Sequence, residues 1–122
     1  MMDNILSQDI DKIKSVVKGD AFAGKEVLVT GGTGFIGSWL CDVLIGFGSE
    51  VTVVDDLSTG RIKNIDHLMG KSKFKLIKSD VCRFKTEDKF EVILHIAGHA
   101  SPDEYQQHPI ETLQTSALGT EN

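Results

Sequence analysis

The chain has 122 residues, room for one domain with a real core but not for two full enzyme domains. Its 40% hydrophobic and 25% charged residues are ordinary globular usage and exclude a disordered chain. A net charge of −5 (13 basic, 18 acidic residues) disfavours nucleic acid as a partner.

The first segment, Ser7 to Lys18, places Leu6, Ile10, Ile13 and Val17 at helical spacing, with Ser7 as the expected cap and Gly19-Asp20 as the stop. It reads as an amphipathic brace, and Ala21 to Lys25 connects it to the rest of the chain. From there strands and helices alternate. Glu26–Thr30 is a short apolar strand, and Phe35 to Phe47 a helix with Ile36, Trp39, Leu40, Val43, Leu44 and Phe47 on one face. Glu50 to Val54 is a second strand, Ile62, Ile65, Leu68 and Met69 mark a short helix, and Phe74 to Lys78 is a third strand. Glu91 to Ala97 is a fourth, and Pro109 to about Gly119 a final helix with Pro at a tolerated first-turn position. This alternation predicts an α/β fold: a Rossmann-type parallel sheet with helices on both faces, plus the extra N-terminal helix. The expected division is 1–24 as helix and connector and 25–122 as the sheet domain.

No apolar run approaches the ~18 residues of a bilayer span. The acidic, polar start Met1 to Leu6 has no basic leader, so a cytosolic chain without membrane contact is expected. Cys41 and Cys82 form neither a CxxC nor a metal-type spacing and read as buried free thiols.

Chemistry concentrates between the first strand and the helix after it, in Thr30-Gly31-Gly32-Thr33-Gly34-Phe35-Ile36-Gly37. Glycines there let the chain turn sharply and bring backbone amides up to a pyrophosphate, which the N–H groups at the start of the helix then hold. Gly37 permits close helix–sheet packing. The pattern alone is weak in a chain with 12 glycines. Its context strengthens it: it comes after a strand, opens a helix, and Asp55 ends the next strand 24 residues past Gly31. Asp55 is expected to accept from both hydroxyls of an adenine-linked ribose and to repel a 2′-phosphate, which selects NAD over NADP; Arg61 is the opposing signal. Asp80-Val81, after the third strand, would flank an adenine if the sheet order is 3-2-1-4, although a turn-forming Asp would look the same. The run Asp56-Leu57-Ser58-Thr59-Gly60 suits the adenosine half, or a plain polar turn.

With Thr30 to Ser38, Val54 to Arg61, Asp80-Val81 and His95-Ile96-Ala97-Gly98 in order, the chain resembles the extended short-chain dehydrogenase/reductase family, from about Lys25 to Asn122. Its members are NAD-dependent nucleotide-sugar epimerases, dehydratases and decarboxylases. The resemblance implies that amides around Gly31, Gly34, Phe35, Ile36 and Gly37 bind the pyrophosphate. It implies that Asp55, Asp56, Leu57, Asp80 and Val81 hold the adenosine, beside Ser58, Thr59 and Gly60 of the polar run, and that Ala97 and Gly98 line the nicotinamide side. Ala100-Ser101-Pro102, Tyr105-Gln106, Pro109 and Gly119-Thr120 look most like UDP-glucuronate decarboxylases, with Ser101 at the substrate mouth or capping a turn.

Three departures stand out. His95-Ile96-Ala97-Gly98 replaces the usual His-Leu-Ala-Ala, and Ser116 stands where Asn is common. The largest concerns the Tyr-x-x-x-Lys pair, in which a lysine lowers the pKa of a tyrosine that deprotonates a sugar hydroxyl while C4 gives its hydride to NAD+. The sole tyrosine, Tyr105, has Pro109 four residues on. The resemblance therefore implies the front part of such an enzyme, truncated after the fourth strand and following helix, with no catalytic residue of its own and no activity alone. A fourth strand left as a bare apolar edge is expected to pair with another copy or to be partly unfolded.

His95 and His99 lie across a strand end, without the helical geometry that clasps zinc, so no metal site is expected. His67, His108, Lys71, Lys73, Lys75 and Lys78 read as surface residues. Three function classes remain open: the NAD-binding part of a nucleotide-sugar enzyme, a non-catalytic dinucleotide sensor or scaffold on the same fold, and a sheet too incomplete to bind.

Overall fold

The computed structural model describes residues 4–122. Four parallel strands, β1 (Glu26–Thr30), β2 (Glu50–Asp55), β3 (Phe74–Lys78) and β4 (Val92–His95), form one sheet in the order β3-β2-β1-β4. Val29 is the register partner of both Val53 and Leu94. The order therefore reverses at β1, and the crevice beside this switch point is where open α/β sheets bind ligands.

The two faces of β1 arise from its period-two alternation. Val27 and Val29, fully buried, join Val51, Val53, Phe74 and Leu44 in one core. Leu28 and Thr30 point to the opposite face, where Gly119 of the last helix, α4 (Pro109–Glu121), approaches Val81 and His95 closely. Helices thus cover both sides of the sheet, as expected.

Helix α2 (Phe35–Gly46) turns a different stripe to the sheet from the one its apolar periodicity suggested. Gly37, Ser38, Cys41 and Leu44 are buried, because small residues let the helix approach the glycine turn closely. Trp39, Leu40, Val43 and Phe47 instead line an apolar groove of about 560 Å³, shared with Ile13, Phe22 and Leu94. Phe47 stacks on Phe22 at 6.1 Å.

Helix α1 spans Asn4–Val16, so it starts before Ser7, which is an exposed residue within it and no cap. Ile10 is its one buried residue and packs against α2 at Gly46. The expected helix around Ile62–Met69 is two 3₁₀ turns, Ile62–Asn64 and Asp66–Leu68. Ile65 and Leu68, three apart, are fully buried, which suits a three-residue period. β4 stops at His95 rather than Ala97. Pro102–Gln107 forms an unexpected short helix, α3.

Among the described residues no helix is long and apolar enough to cross a membrane. Cys41 is buried, and that burial pushes its thiol up to about 12. Cys82 is only half-buried, unlike the expectation. His67 is not a free surface residue: its Nε2 lies 2.5 Å from the buried Asp42 carboxylate, joining the second 3₁₀ turn to α2. Burial raises the Asp42 carboxyl above its ordinary range, and the hydrogen bond from His67 opposes that rise.

Candidate functional site

At the C-terminal end of the sheet the glycine turn is dictated by contact. Gly31 has φ +73°, and a Cβ there would sit 2.7 Å from the Ala97 nitrogen. A Cβ on Gly37 would collide with the Gly31 carbonyl oxygen and lie 2.8 Å from Gly32 Cα. The amide of Gly31 donates to the Val54 carbonyl (2.9 Å), and that of Gly34 donates back to Gly31 (3.2 Å), closing the turn. Gly34 is the N-cap of α2; no side chain caps the helix, and its first turn holds no acid. The positive end of α2 is therefore left for an external anion. Phe35 and Ile36 can face such an anion only through their amides, since both side chains are exposed and line the apolar groove.

Asp55, 8% exposed, ends β2 against this turn. Its Oδ2 accepts from the Thr33 amide (2.9 Å) and hydroxyl (2.6 Å), and its Oδ1 from the Leu57 amide (2.9 Å). Of roughly four acceptor positions on a carboxylate, three are used, leaving about one for an incoming hydroxyl. Of the two ribose contacts expected for this carboxylate, its remaining acceptor capacity has room for about one. Thr33, a residue sequence reasoning passed over, is fully buried; its carbonyl accepts from the Arg61 amide (3.1 Å) and Asn64 Nδ2 (2.8 Å). Gly60 packs directly on Thr33 and leaves no space for a side chain. Leu57 takes φ +62°, the only positive φ outside glycine among the described residues, to aim its amide at Asp55.

Turn chemistry shapes the neighbouring loops. Asp56 Oδ1 accepts from the Ser58 amide and hydroxyl, and Asp80 Oδ1 from the Cys82 amide, so both aspartates also form the polar turns considered as alternatives. Cys82 has its thiol raised by burial and by the Asp80 charge.

The end of β4 is held by Thr30. The Thr115 carbonyl accepts from His95 Nε2 (3.1 Å), which puts the proton on that nitrogen. His95 Nδ1 then accepts from the Thr30 hydroxyl (2.7 Å). The same Thr30 oxygen accepts from the amides of Ile96 (3.1 Å) and Ala97 (3.2 Å). One hydroxyl thus ties β1, β4 and α4 together.

These elements converge. Gly31, Asp55, Asp56, Asp80, Val81, Ala97 and Gly98 line one narrow groove, joined by His99 and Thr115. The groove opens into a compartment of about 490 Å³ that shares Asp56, Asp80, His99 and Thr115 and adds Ser58 and Thr59. Leu57 and Gly60 support it from behind rather than line it. Ser101 caps α3, its hydroxyl accepting from the Glu104 amide (3.3 Å). Among the described residues no three His, Cys, Asp or Glu side chains are placed to hold a metal ion.

Residues 27–122 match the NAD dependent epimerase/dehydratase family. The chain is 46% identical to UDP-glucuronic acid decarboxylase 1 of Danio rerio over 80% of its length, and 44% identical to UDP-glucuronic acid decarboxylase 1 of Arabidopsis thaliana over 79%. It spans 23% and 22% of those relatives. Among solved structures, the UDP-Glc/GlcNAc 4-epimerase of Campylobacter jejuni superposes with a TM-score of 0.69 at 28% identity, over 80% of this chain and 32% of that one. An epimerase of Methanothermobacter thermautotrophicus superposes with a TM-score of 0.70 at 28% identity, over 83% and 31%. By sequence and fold, the chain belongs to the NAD dependent epimerase/dehydratase family.

Proposed function

We propose that this chain is the NAD-binding portion of a nucleotide-sugar modifying enzyme of the UDP-glucuronate decarboxylase type, working through a transient 4-keto sugar. Dependence on NAD comes with the family; the placement of NAD and the sugar chemistry are our reading. The observation that carries it is the cradle at Gly31 and Gly37. Side chains at either glycine would collide with the backbone that shapes it, and the uncapped start of α2 adjoins it. A pyrophosphate fits a bend so shaped, held by the amides of Phe35, Ile36 and Gly37.

Asp55 accepts one ribose hydroxyl, with Asp56 beside it, and both reject a 2′-phosphate. Asp80, Val81, Ser58 and Thr59 border the adenine, while Leu57 and Gly60 fix the loop around Asp55. Ala97 and Gly98, held by Thr30, border the nicotinamide. Bound NAD supplies a hydride acceptor for C4 of the sugar. The chain's own residues bind and orient it. Tyr105, exposed on α3, has Pro109 four residues on and no lysine at that spacing, so the chain alone binds without turnover. Its similarity to two UDP-glucuronic acid decarboxylases supports the choice of nucleotide sugar, and Ser101 stands at the substrate side.

We divide the chain at 24/25, with 1–24 an appended helix and connector. The free edge of β4, bordered by the apolar groove through Leu94 and by the exposed Ile93, takes a second copy of the chain. Sedimentation showing only monomer at high concentration, with slow amide exchange at Val92 to His95, overturns that pairing.

Calorimetric titration tests the main reading. NAD and ADP-ribose bind, NADP binds at least tenfold more weakly, and Asp55→Asn loses about tenfold or more, the worth of a charge-assisted hydrogen bond. Failure of the unaltered chain to bind either NAD or ADP-ribose refutes it.

A further inference from the structure

The wall of the 490 Å³ compartment facing Asp56 and Ser58 carries two imidazoles. His99 precedes α3 and His108 follows it, so this six-residue helix brings the two rings back together. Their centroids lie 5.5 Å apart, with the planes inclined by 24°. The backbone of His108 is fixed on both sides. Its amide donates to the Glu104 carbonyl (2.9 Å), and its carbonyl accepts from the Thr112 amide (3.0 Å) and hydroxyl (2.7 Å). The two rings differ in setting: His99 is largely buried, its Nδ1 3.7 Å from the Glu104 carboxylate, whereas His108 is exposed between helices α3 and α4, which have no buried residue. The exposed His108 ring, backed by the largely buried His99, gains little from burial itself and presents aromatic surface to the compartment. Asp56, Asp80, Glu104 and Glu111 make that space acidic, with Arg83 the one cationic side chain among its lining residues. A neutral planar base that donates through an exocyclic amine suits those surroundings; a phosphate does not.

We infer that His99 and His108 form the stacking wall for the adenine base, with His108 presenting the outer face. This rests on the proposed NAD site, since a dinucleotide whose ribose meets Asp55 carries its adenine from the narrow groove past His99 into this compartment.

The test uses the full chain and ADP-ribose. His108→Ala weakens binding about tenfold, the effect of losing one base–aromatic stack, whereas His108→Phe stays within about threefold of the unaltered chain. In the unaltered chain, the Hε1 proton signals of His99 and His108 shift upfield on addition of ADP-ribose, through the ring current of the base. That measurement decides the matter even where His108→Ala does not fold. Binding by His108→Ala within about twofold of the unaltered chain, equal loss in the Ala and Phe variants, or unmoved imidazole signals overturns the stacking wall alone. Absence of binding by the unaltered chain overturns the site itself.

Discussion

Replacing Thr30 by valine, which has nearly the same shape, isolates a single hydroxyl. Three groups lose its oxygen: His95 Nδ1 and the amides of Ile96 and Ala97. The Ile96 amide also donates to the Thr30 carbonyl at 3.1 Å and remains satisfied. Two half-buried groups are left, His95 Nδ1 and the Ala97 amide. An unsatisfied buried polar group costs about 1–3 kcal/mol, and partial exposure places both near the lower end, so the expected loss is about 2 kcal/mol. With a urea slope of about 2 kcal/mol per molar, the unfolding midpoint falls by about 1 M. Thr30→Ser keeps the hydroxyl and recovers most of the loss. Equilibrium unfolding in urea, followed by circular dichroism, measures both variants. A Val variant within about 0.5 kcal/mol of the unaltered chain, or a Ser variant as weak as the Val one, refutes the reasoning.

Gly37→Ala sets a methyl against the Gly31 carbonyl, where only backbone could yield. It is expected to cost about 3 kcal/mol or more, read in the same urea assay. His67→Ala strands the Asp42 carboxylate, at about 3 kcal/mol, the low end for breaking a buried pair. Without His67 the Asp42 carboxyl rises further above its ordinary 3.8, so the native state holds that proton more tightly than the unfolded chain does. The variant's deficit therefore widens as pH is raised from 4 to 7, which parallel unfolding series detect. Cys41, with its thiol at about 12, is only about 10⁻⁴ thiolate at pH 8. Mass spectrometry after iodoacetamide is expected to find it unmodified until the chain is unfolded.

Local signals carried much of this fold into the sequence. β1 was legible as an apolar β-branched run, and the glycine spacing gave the turn and the start of α2. The misreadings share a cause. Trp39, Leu40 and Val43 have the helical period of a core face, yet the sheet selects the small residues Gly37, Ser38 and Cys41, which sequence reasoning does not rank as core. α3 has no apolar period, and only Ser101 before Pro102 marked its start. His67 with Asp42, Thr30 with His95, and Asp55 with Thr33 are contacts between residues 22 to 65 positions apart, set by topology rather than by neighbours. Asp55 itself was legible from its spacing. That most of its acceptor positions are already used was not.

That prior use has a kinetic meaning. A carboxylate dried and tethered while the chain folds has already undergone the ordering that a mobile loop would undergo on meeting its ligand. At the proposed NAD site, association then reduces to encounter and docking, with little waiting on loop closure, so differences in affinity among dinucleotides fall on their rates of departure.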